Sequence, residues 1–124
     1  MQKILVVDDE RNIRNILDFS LGAEGYQVIA ASDGNEALTL AQSEHPDLII
    51  LDVMMPQSDG FEVCRQLKKL TNTASIPVIM LTAKNSKDDR QRGQEVNADA
   101  YITKPFSPIR LIEAVQSMLG VPKG

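Results

Sequence analysis

Four short, nearly unbroken apolar runs constrain the fold of this chain more than any other feature of its sequence. They are rich in Val, Ile and Leu, and a fifth, weaker run lies nearer the C-terminal end. Strands with one face in water alternate apolar and polar residues, whereas unbroken runs are typical of strands buried on both faces of a parallel sheet. The sequence therefore predicts buried strands at residues 4–7, 28–31, 48–51, 78–81 and 101–103.

Helical patterns fill the intervals between these runs. Apolar residues at i, i+3, i+4 and i+8 indicate a first helix, which Gly25 would end. An acidic residue followed three positions later by glutamate resembles a capping box and begins two more helices, at Asp33 and Asp59. Ser107-Pro108 begins a last helix with a capping serine and a proline in the first turn.

Another helix is expected at residues 86–96, although this stretch offers little to bury. Val96 is its one strongly apolar residue, and Gly93 interrupts it. Because packing of an apolar face supplies most helical stability, we expect this helix to be the least stable of the five.

Strands that alternate with helices predict one α/β domain, a doubly wound (βα)5 unit with a five-stranded parallel sheet and right-handed crossovers. We place this domain at residues 1–124, with residues 119–124 as a C-terminal tail or the start of a linker. The chain has 124 residues and is 43% hydrophobic, which suits a single core.

Composition excludes several classes of function. The net charge is −4, whereas binding of nucleic acid requires clustered basic residues, so we expect no direct nucleic-acid binding. The apolar runs are too short to span a bilayer, so we also expect no membrane association. The one cysteine, Cys64, is expected to be a buried, inert thiol, and its isolation suits a reducing compartment, so we expect a cytoplasmic protein.

Polar residues follow the predicted strands where each strand ends. Strand one is followed by Asp8 and Asp9, strand three by Asp52, strand four by Thr82 and strand five by Lys104. In an open α/β sheet these carboxyl ends lie together and form the usual ligand site. Three carboxylates in one cleft repel each other, and Mg²⁺ would remove that conflict, with Mn²⁺ as a second candidate. Because a carboxylate can attack phosphorus, these residues together predict a phosphoryl acceptor site and fit other kinds of site less well.

Five segments of the chain, in this order and spacing, resemble the signature of the receiver (CheY-like) domains of two-component response regulators. They are Val6-Val7-Asp8-Asp9-Glu10, Leu51-Asp52-Val53-Met54-Met55-Pro56, Asp59-Gly60, Leu81-Thr82-Ala83 and Tyr101-Ile102-Thr103-Lys104-Pro105-Phe106. The resemblance covers almost the whole chain and implies the flavodoxin-like strand order 2-1-3-4-5.

The resemblance also implies a role for each matching residue. Asp52 would be the phosphoacceptor, and Asp8 and Asp9 would bind the metal together with Asp52 and the backbone carbonyl of Met54. Thr82 would be the switch hydroxyl, Lys104 the partner of the phosphate, and Tyr101 the aromatic residue that turns inward on activation. The Lys104-Pro105 bond is often cis in the family, and the sequence leaves its isomer open.

The chain departs from the family pattern at three positions. Gln57 and Asn97 stand where receivers commonly carry glycine, and asparagine is the next best residue in the left-handed conformation. Ala100 stands where many members have an aspartate that forms salt bridges across a dimer.

The implied function is a phosphorylation-dependent signalling switch in a bacterial two-component system. Asp52 would take a phosphoryl group from the phosphohistidine of a sensor histidine kinase or a phosphotransfer protein in a Mg²⁺-dependent step, and would later lose it by autodephosphorylation. Such catalysis is self-directed and turns over no external substrate. The face formed by helix four, strand five and helix five would change conformation and act on a downstream protein, a fused output domain or a second copy in a phosphorylation-linked homodimer.

Three other classes of protein are alternatives to a receiver. An aspartyl-phosphate phosphatase typically has a second aspartate two residues after the nucleophile, where this chain has Met54. A flavin or nucleotide carrier would need a phosphate-binding loop after strand one, where this chain has acidic residues. The alternative that stays open is a pseudo-receiver, which folds the same way, is never phosphorylated and acts as a protein-interaction module.

Overall fold

In the computed structural model, residues 2–55, 58–82, 91–92 and 94–120 are described. Five parallel strands form the central sheet in the order β2-β1-β3-β6-β7. The predicted strands and the flavodoxin-like order are therefore confirmed, and each strand is one residue longer than its apolar run. The strands are β1 Lys3–Val7, β2 Gln27–Ala31, β3 Leu48–Asp52, β6 Val78–Thr82 and β7 Ala100–Thr103.

A short antiparallel hairpin, absent from the predicted strands, follows β3. It pairs β4, Met54–Met55, with β5, Ser58–Asp59. Each strand has only two residues, so neither carries a periodic pattern that a sequence could reveal. The hairpin lies directly after Asp52 and leads into the next helix, which gives it a place beside the candidate site.

Four helices are delimited within the described residues. They are α1 Arg11–Ala23, α2 Gly34–Glu44, α3 Gly60–Lys69 and the C-terminal helix Pro108–Leu119. Residues 91–92 and 94–95 are also helical, whereas residues 83–90 and 93 lie outside the described residues. The expectation of a weak helix at 86–96 therefore stays a prediction. No helix in the described part of the chain combines the length and apolar character needed to cross a membrane.

The strands are buried on both faces, as the unbroken apolar runs predict. Alternate residues of each central strand enter two separate core clusters: Leu5, Ile49 and Met80 lie in the first, and Ile4, Ile50 and Ile79 in the second. Helices α2 and α3 cover the first cluster, whereas α1 and the C-terminal helix cover the second. Apolar burial is thus continuous through the sheet, and it fixes the strand ends in space.

Each delimited helix buries one face, and residues at the edges of these faces are only partly covered. Cys64 is fully buried in α3, and burial raises the pKa of its thiol to about 11, as expected for an inert thiol. Leu70 lies beyond the end of α3 and is half-buried, and Ile16 of α1 is 44% exposed.

The helix caps differ from the predicted capping boxes. Asp33 accepts from the backbone N–H of Glu36 at 2.8 Å, but Glu36 reaches the N–H of Ser32 rather than that of Asp33. At the other predicted box, the acceptor Asp59 bonds the N–H of Phe61 at 2.9 Å. Its expected partner Glu62 pairs instead with Arg65, so that capping box was wrong. Within the described residues, the side chain of Ser107 makes no hydrogen bond that caps the C-terminal helix.

Left-handed backbone conformations occur where helices end. Gly25 has a φ of 97° just after α1, and Asn97 has a φ of 63° before β7. Asn97 therefore replaces glycine in the conformation that asparagine tolerates. His45, at the end of α2, has a φ of 48°, which its sequence context did not predict.

Candidate functional site

Three carboxylates meet at the carboxyl ends of β1 and β3. Val7 of β1 pairs with Leu51 of β3, so the residues that follow, Asp8 and Asp52, emerge next to each other at the sheet edge. Each of Asp8, Asp9 and Asp52 offers an oxygen, and these atoms lie within 4.8 Å of one another. Asp8 is fully buried and Asp52 is 3% exposed, whereas Asp9 faces solvent. The sequence-predicted acidic set is therefore assembled in one place.

Lys104 enters this cluster from the loop after β7. Its Nζ lies 3.0 Å from Oδ2 of Asp8 and 3.3 Å from Oδ1 of Asp52. The Lys104 N–H donates to the carbonyl of Thr82 at 2.6 Å, and the Lys104-Pro105 peptide bond is cis. The lysine thus pairs with both buried carboxylates, and it lies slightly closer to Asp8 than to Asp52, the expected phosphoacceptor.

Burial and, second to it, the charge of Asp8 raise the pKa of Asp52 to about 6, although Lys104 and the Met54 N–H oppose the rise. For Lys104, burial lowers the pKa, but the hydrogen bond to Asp8 and the charges of Asp52 and Asp8 outweigh burial and place it above its ordinary value. At neutral pH the Asp52 carboxylate is therefore largely ionised and lies next to a cationic lysine.

Asp8 is held from three directions. Its Oδ1 accepts from the Glu10 N–H at 2.9 Å, its Oδ2 binds Lys104, and its backbone carbonyl accepts from Nη1 of Arg14 at 2.7 Å. Arg14 was not among the predicted site residues. Its position one turn into α1 gives no chemical signal, and the contact depends on how the helix returns over the strand end.

The loop after β3 lies tightly against Asp52. The Met54 N–H donates to Oδ1 of Asp52 at 3.2 Å, and the Gly60 N–H donates to the carbonyl of Val53 at 3.0 Å. A Cβ on Gly60 would lie 2.3 Å from the Asp52 carbonyl oxygen and 2.7 Å from Cα of Val53. Only glycine fits there, which gives a physical reason for the glycine in the Asp59-Gly60 segment.

Thr82 and Tyr101, the two predicted switch residues, lie on neighbouring strands. Asp52 pairs with Leu81, so Thr82 is the next residue along the same edge, and it is buried. Tyr101 pairs with Met80 and is half-buried against the first core cluster. Lys84, two residues after Thr82, lies outside the described residues.

The donor set fits a hard divalent cation. Three carboxylates and one ammonium leave two negative charges in a partly buried site when all are ionised. The closeness of their oxygens suits an ion that takes a few carboxylate ligands and keeps several waters. The residues present therefore fit Mg²⁺.

A largely apolar cavity of about 560 Å³ opens beside Lys104. Its walls come from α1 and from the loop that leads into the C-terminal helix, with Ile13, Ile16, Pro105 and Phe106 among them. The charged cluster is therefore flanked by a surface that can contact apolar groups.

Comparison with known proteins agrees with this fold. The family profile described as the response regulator receiver domain matches residues 4–116. The chain is 52% identical over 118 residues to the probable transcriptional regulator ycf27 of Cyanophora paradoxa. It is 51% identical over 118 residues to the alkaline phosphatase synthesis transcriptional regulatory protein PhoP of Bacillus subtilis (strain 168). Each match covers 95% of this chain and 48% of the relative, so the chain spans about half the length of these relatives.

Solved structures give the same result. Chemotaxis protein CheY4 of Vibrio cholerae superposes with a TM-score of 0.91 at 38% identity, over 95% of this chain and 98% of that one. DrrB of Thermotoga maritima, an OmpR/PhoB homolog, gives a TM-score of 0.87 at 35% identity, over 96% of this chain and 52% of that one. The chain belongs to the receiver domain family of two-component response regulators.

Proposed function

We propose that this receiver domain is a signalling switch that accepts a phosphoryl group on Asp52 from a phosphohistidine. The observation that supports this most is a buried Asp52 carboxylate, 3.3 Å from Lys104 and within 4.8 Å of the oxygens of Asp8 and Asp9. A nucleophile, a cation for the incoming charge and donors for a metal then share one sheet edge. The donor would be a sensor histidine kinase or a phosphotransfer protein.

In the transfer step, a carboxylate oxygen of Asp52 attacks the phosphorus atom. A P–O bond forms, the P–N bond of phosphohistidine breaks, and the imidazole nitrogen keeps the electron pair. Lys104 offsets the negative charge that arrives with the phosphoryl group. In autodephosphorylation, water attacks phosphorus, the bond to Asp52 breaks, and the carboxylate leaves as the electron pair returns to it.

Asp8, Asp9, Asp52 and the carbonyl of Met54 would hold Mg²⁺, with Mn²⁺ as an alternative. When bound, the ion supplies positive charge to the phosphoryl oxygens. The apolar cavity beside Lys104 offers the donor protein a surface to dock on, next to the acceptor.

The output would be conformational. Thr82 follows Leu81, the strand partner of Asp52, which supports the proposal that its hydroxyl responds to a phosphoryl group on Asp52. Tyr101, on the neighbouring strand β7, would then change position, and the face around β7 and the C-terminal helix would change conformation. The chain spans about half the length of the two transcriptional regulators named above, which suggests a fused output domain as one partner. The other candidate partners are a separate downstream protein and a second copy of the chain in a phosphorylation-linked homodimer.

The test is the mass of the intact protein after incubation with acetyl phosphate and Mg²⁺. The parent should gain one phosphoryl group, and Asp52→Asn should gain none while keeping its fold. Asp18→Asn, which changes an exposed carboxylate on α1, is the matched control and should behave as the parent. A chelator should abolish the gain in the parent.

Two outcomes would contradict the proposal in different ways. A phosphoryl group that still appears in Asp52→Asn, mapped to another residue, would mean that Asp52 is not the acceptor. A parent that gains no mass under any of these conditions would favour a pseudo-receiver, which acts as a protein-interaction module.

A further inference from the structure

Arg92, in the helical residues 91–92, contacts the beginning of α3 in two ways. Its Nη2 donates to Oδ2 of Asp59 at 2.7 Å. Its Cζ lies 4.2 Å from the centroid of the Phe61 ring, a distance at which a guanidinium is attracted to an aromatic face. Phe61 is buried, so the ring is a fixed platform. The guanidinium is therefore held by a carboxylate and a ring on one short stretch of chain.

Asp59 has two further connections on the hairpin side. Its other oxygen, Oδ1, accepts from the Phe61 N–H at 2.9 Å and caps α3. Its backbone pairs antiparallel with Met54, and Met54 in turn donates to the Asp52 carboxylate at 3.2 Å. A continuous series of contacts thus runs from Arg92 through Asp59 and Met54 to Asp52.

The segment that carries Arg92 is itself fixed to the core at its far end. The Val96 N–H donates to the carbonyl of Arg92 at 3.1 Å, and Val96 packs against the first core cluster. The Cys64 thiol donates to the Val96 carbonyl at 3.5 Å. A shift of the hairpin would therefore act on a segment with a fixed anchor, so it would strain the Arg92 contacts.

We propose that Arg92 is a positioning residue for the metal and phosphoryl site, acting through Asp59 on the hairpin whose Met54 carbonyl would be a metal ligand. This inference rests on the proposed function, because it concerns the regulation of that same site. Arg92 restricts the hairpin to the arrangement in which Met54 faces the carboxylates. Binding at the site then favours the Arg92–Asp59 contact by the same factor by which the contact favours binding.

The expected size of the coupling is modest. The side chains of Arg92 and Asp59 are 51% and 47% exposed, and ion pairs of that kind contribute little. With the ring contact added, we expect the Mg²⁺ dissociation constant to rise about threefold when Arg92 loses its charge.

The test uses the full chain, with Mg²⁺ as the probe and the amide signals of Met54 and Gly60 followed by NMR. Arg92→Gln should weaken Mg²⁺ binding about threefold, and in chelator it should speed hydrogen exchange at the Gly60 N–H. Arg92→Lys, which keeps the charge, should recover part of the affinity. Arg65→Gln is the matched control, because Arg65 is also about half-exposed and pairs with Glu62 within α3.

A double-mutant cycle separates coupling from a general loss of structure. Asp59→Asn can still cap α3 but loses the ion pair, so it should weaken Mg²⁺ binding about as much as Arg92→Gln does. The two changes together should cost little more than either one alone. Full additivity, or parent-like affinity in Arg92→Gln, would overturn the inference while leaving the proposed function intact. A parent without any Mg²⁺-dependent shift would overturn the metal site and, with it, this inference.

Discussion

The strands β1 and β3 change character within one residue. Val7 and Leu51 are fully buried apolar side chains, and Asp8 and Asp52, the next residues, are buried carboxylates. Burial of the apolar pair stabilises the fold, at about 25 cal/mol for each Å² removed from water. Burial of the carboxylates opposes ionisation, which the raised pKa of Asp52 records.

The difference between these two regions indicates how the molecule divides its tasks. The apolar interior carries the stability, and the sheet edge holds charged groups that the fold keeps together at a cost. Lys104 and a few backbone N–H groups offset part of that cost, and a divalent cation would offset more. Substitutions on either side of this boundary should therefore change stability in opposite directions.

Leu51→Ala should have the largest effect. Removal of a buried leucine in the centre of the sheet leaves a cavity, and we expect a loss of about 2–5 kcal/mol in the free energy of unfolding. Urea denaturation followed by circular dichroism measures it. A loss well below that range would mean that the sheet centre can repack and that the contrast with its edge is weaker than described.

Asp52→Asn, one residue further along, should stabilise the metal-free protein at neutral pH. Because the pKa of Asp52 is about 6 in the folded protein and 3.8 in its ordinary state, the folded state binds the proton more tightly. The free energy of unfolding of the parent should therefore fall as the pH rises from about 4 to 6 and stay low above that range. The contribution is about 3 kcal/mol at most.

The measurement is a pair of denaturation curves in chelator across this pH range. The variant should lack the fall, so the two proteins diverge as pH rises. Millimolar Mg²⁺ should stabilise the parent more than the variant. Parallel curves would mean that burial does not oppose the ionisation of Asp52. The charged edge of the sheet would then not lower stability, in contrast to what we expect.

The two glycines Gly60 and Gly22 give the smallest pair of effects and extend the comparison to the backbone. A Cβ on Gly60 would meet the Asp52 carbonyl at 2.3 Å, and Gly60→Ala should lower stability by about 1–3 kcal/mol. A Cβ on Gly22 in α1 meets nothing within 4 Å, and Gly22→Ala should raise stability by about 0.5–1 kcal/mol.

Thermal unfolding of both variants beside the parent checks the sign of each change. The Gly60 variant should also phosphorylate more slowly with acetyl phosphate, since the displaced backbone belongs to the acceptor residue. Equal stability in the two variants would show that the loop at Gly60 shifts freely, and the tight packing at the edge would then have no energetic consequence.

Much of the fold could be predicted because it depends on local chemistry. Unbroken apolar runs predicted the strands, since only a sheet covered on both faces buries such runs completely. Asp8 and Asp52 could be placed near each other because parallel strands in register deliver their carboxyl ends to one edge. The left-handed Asn97 was expected because the family resemblance places glycine at that position and asparagine tolerates the same conformation.

The predictions went wrong or fell silent where a side chain has several partners within reach. Glu62 was expected to complete a capping box, but Arg65 lies three residues on and offers a charged partner. The hairpin of β4 and β5 has no periodicity to detect. Arg14 and Arg92 are ordinary helix-surface residues in the sequence, and only the path of the chain gives them Asp8 and Asp59 as neighbours.

The sequence by itself determined which apolar residues form unbroken runs, where the chain turns, and which charged groups follow the strand ends. Those properties act over a few residues, so they can be read without a fold. Only the tertiary structure decided that Lys104, 96 positions from Asp8, bonds both buried carboxylates, and that Gly60 leaves no room for a side chain beside Asp52. Such contacts join residues that are distant along the chain, and their geometry depends on the packing of the whole sheet and its helices.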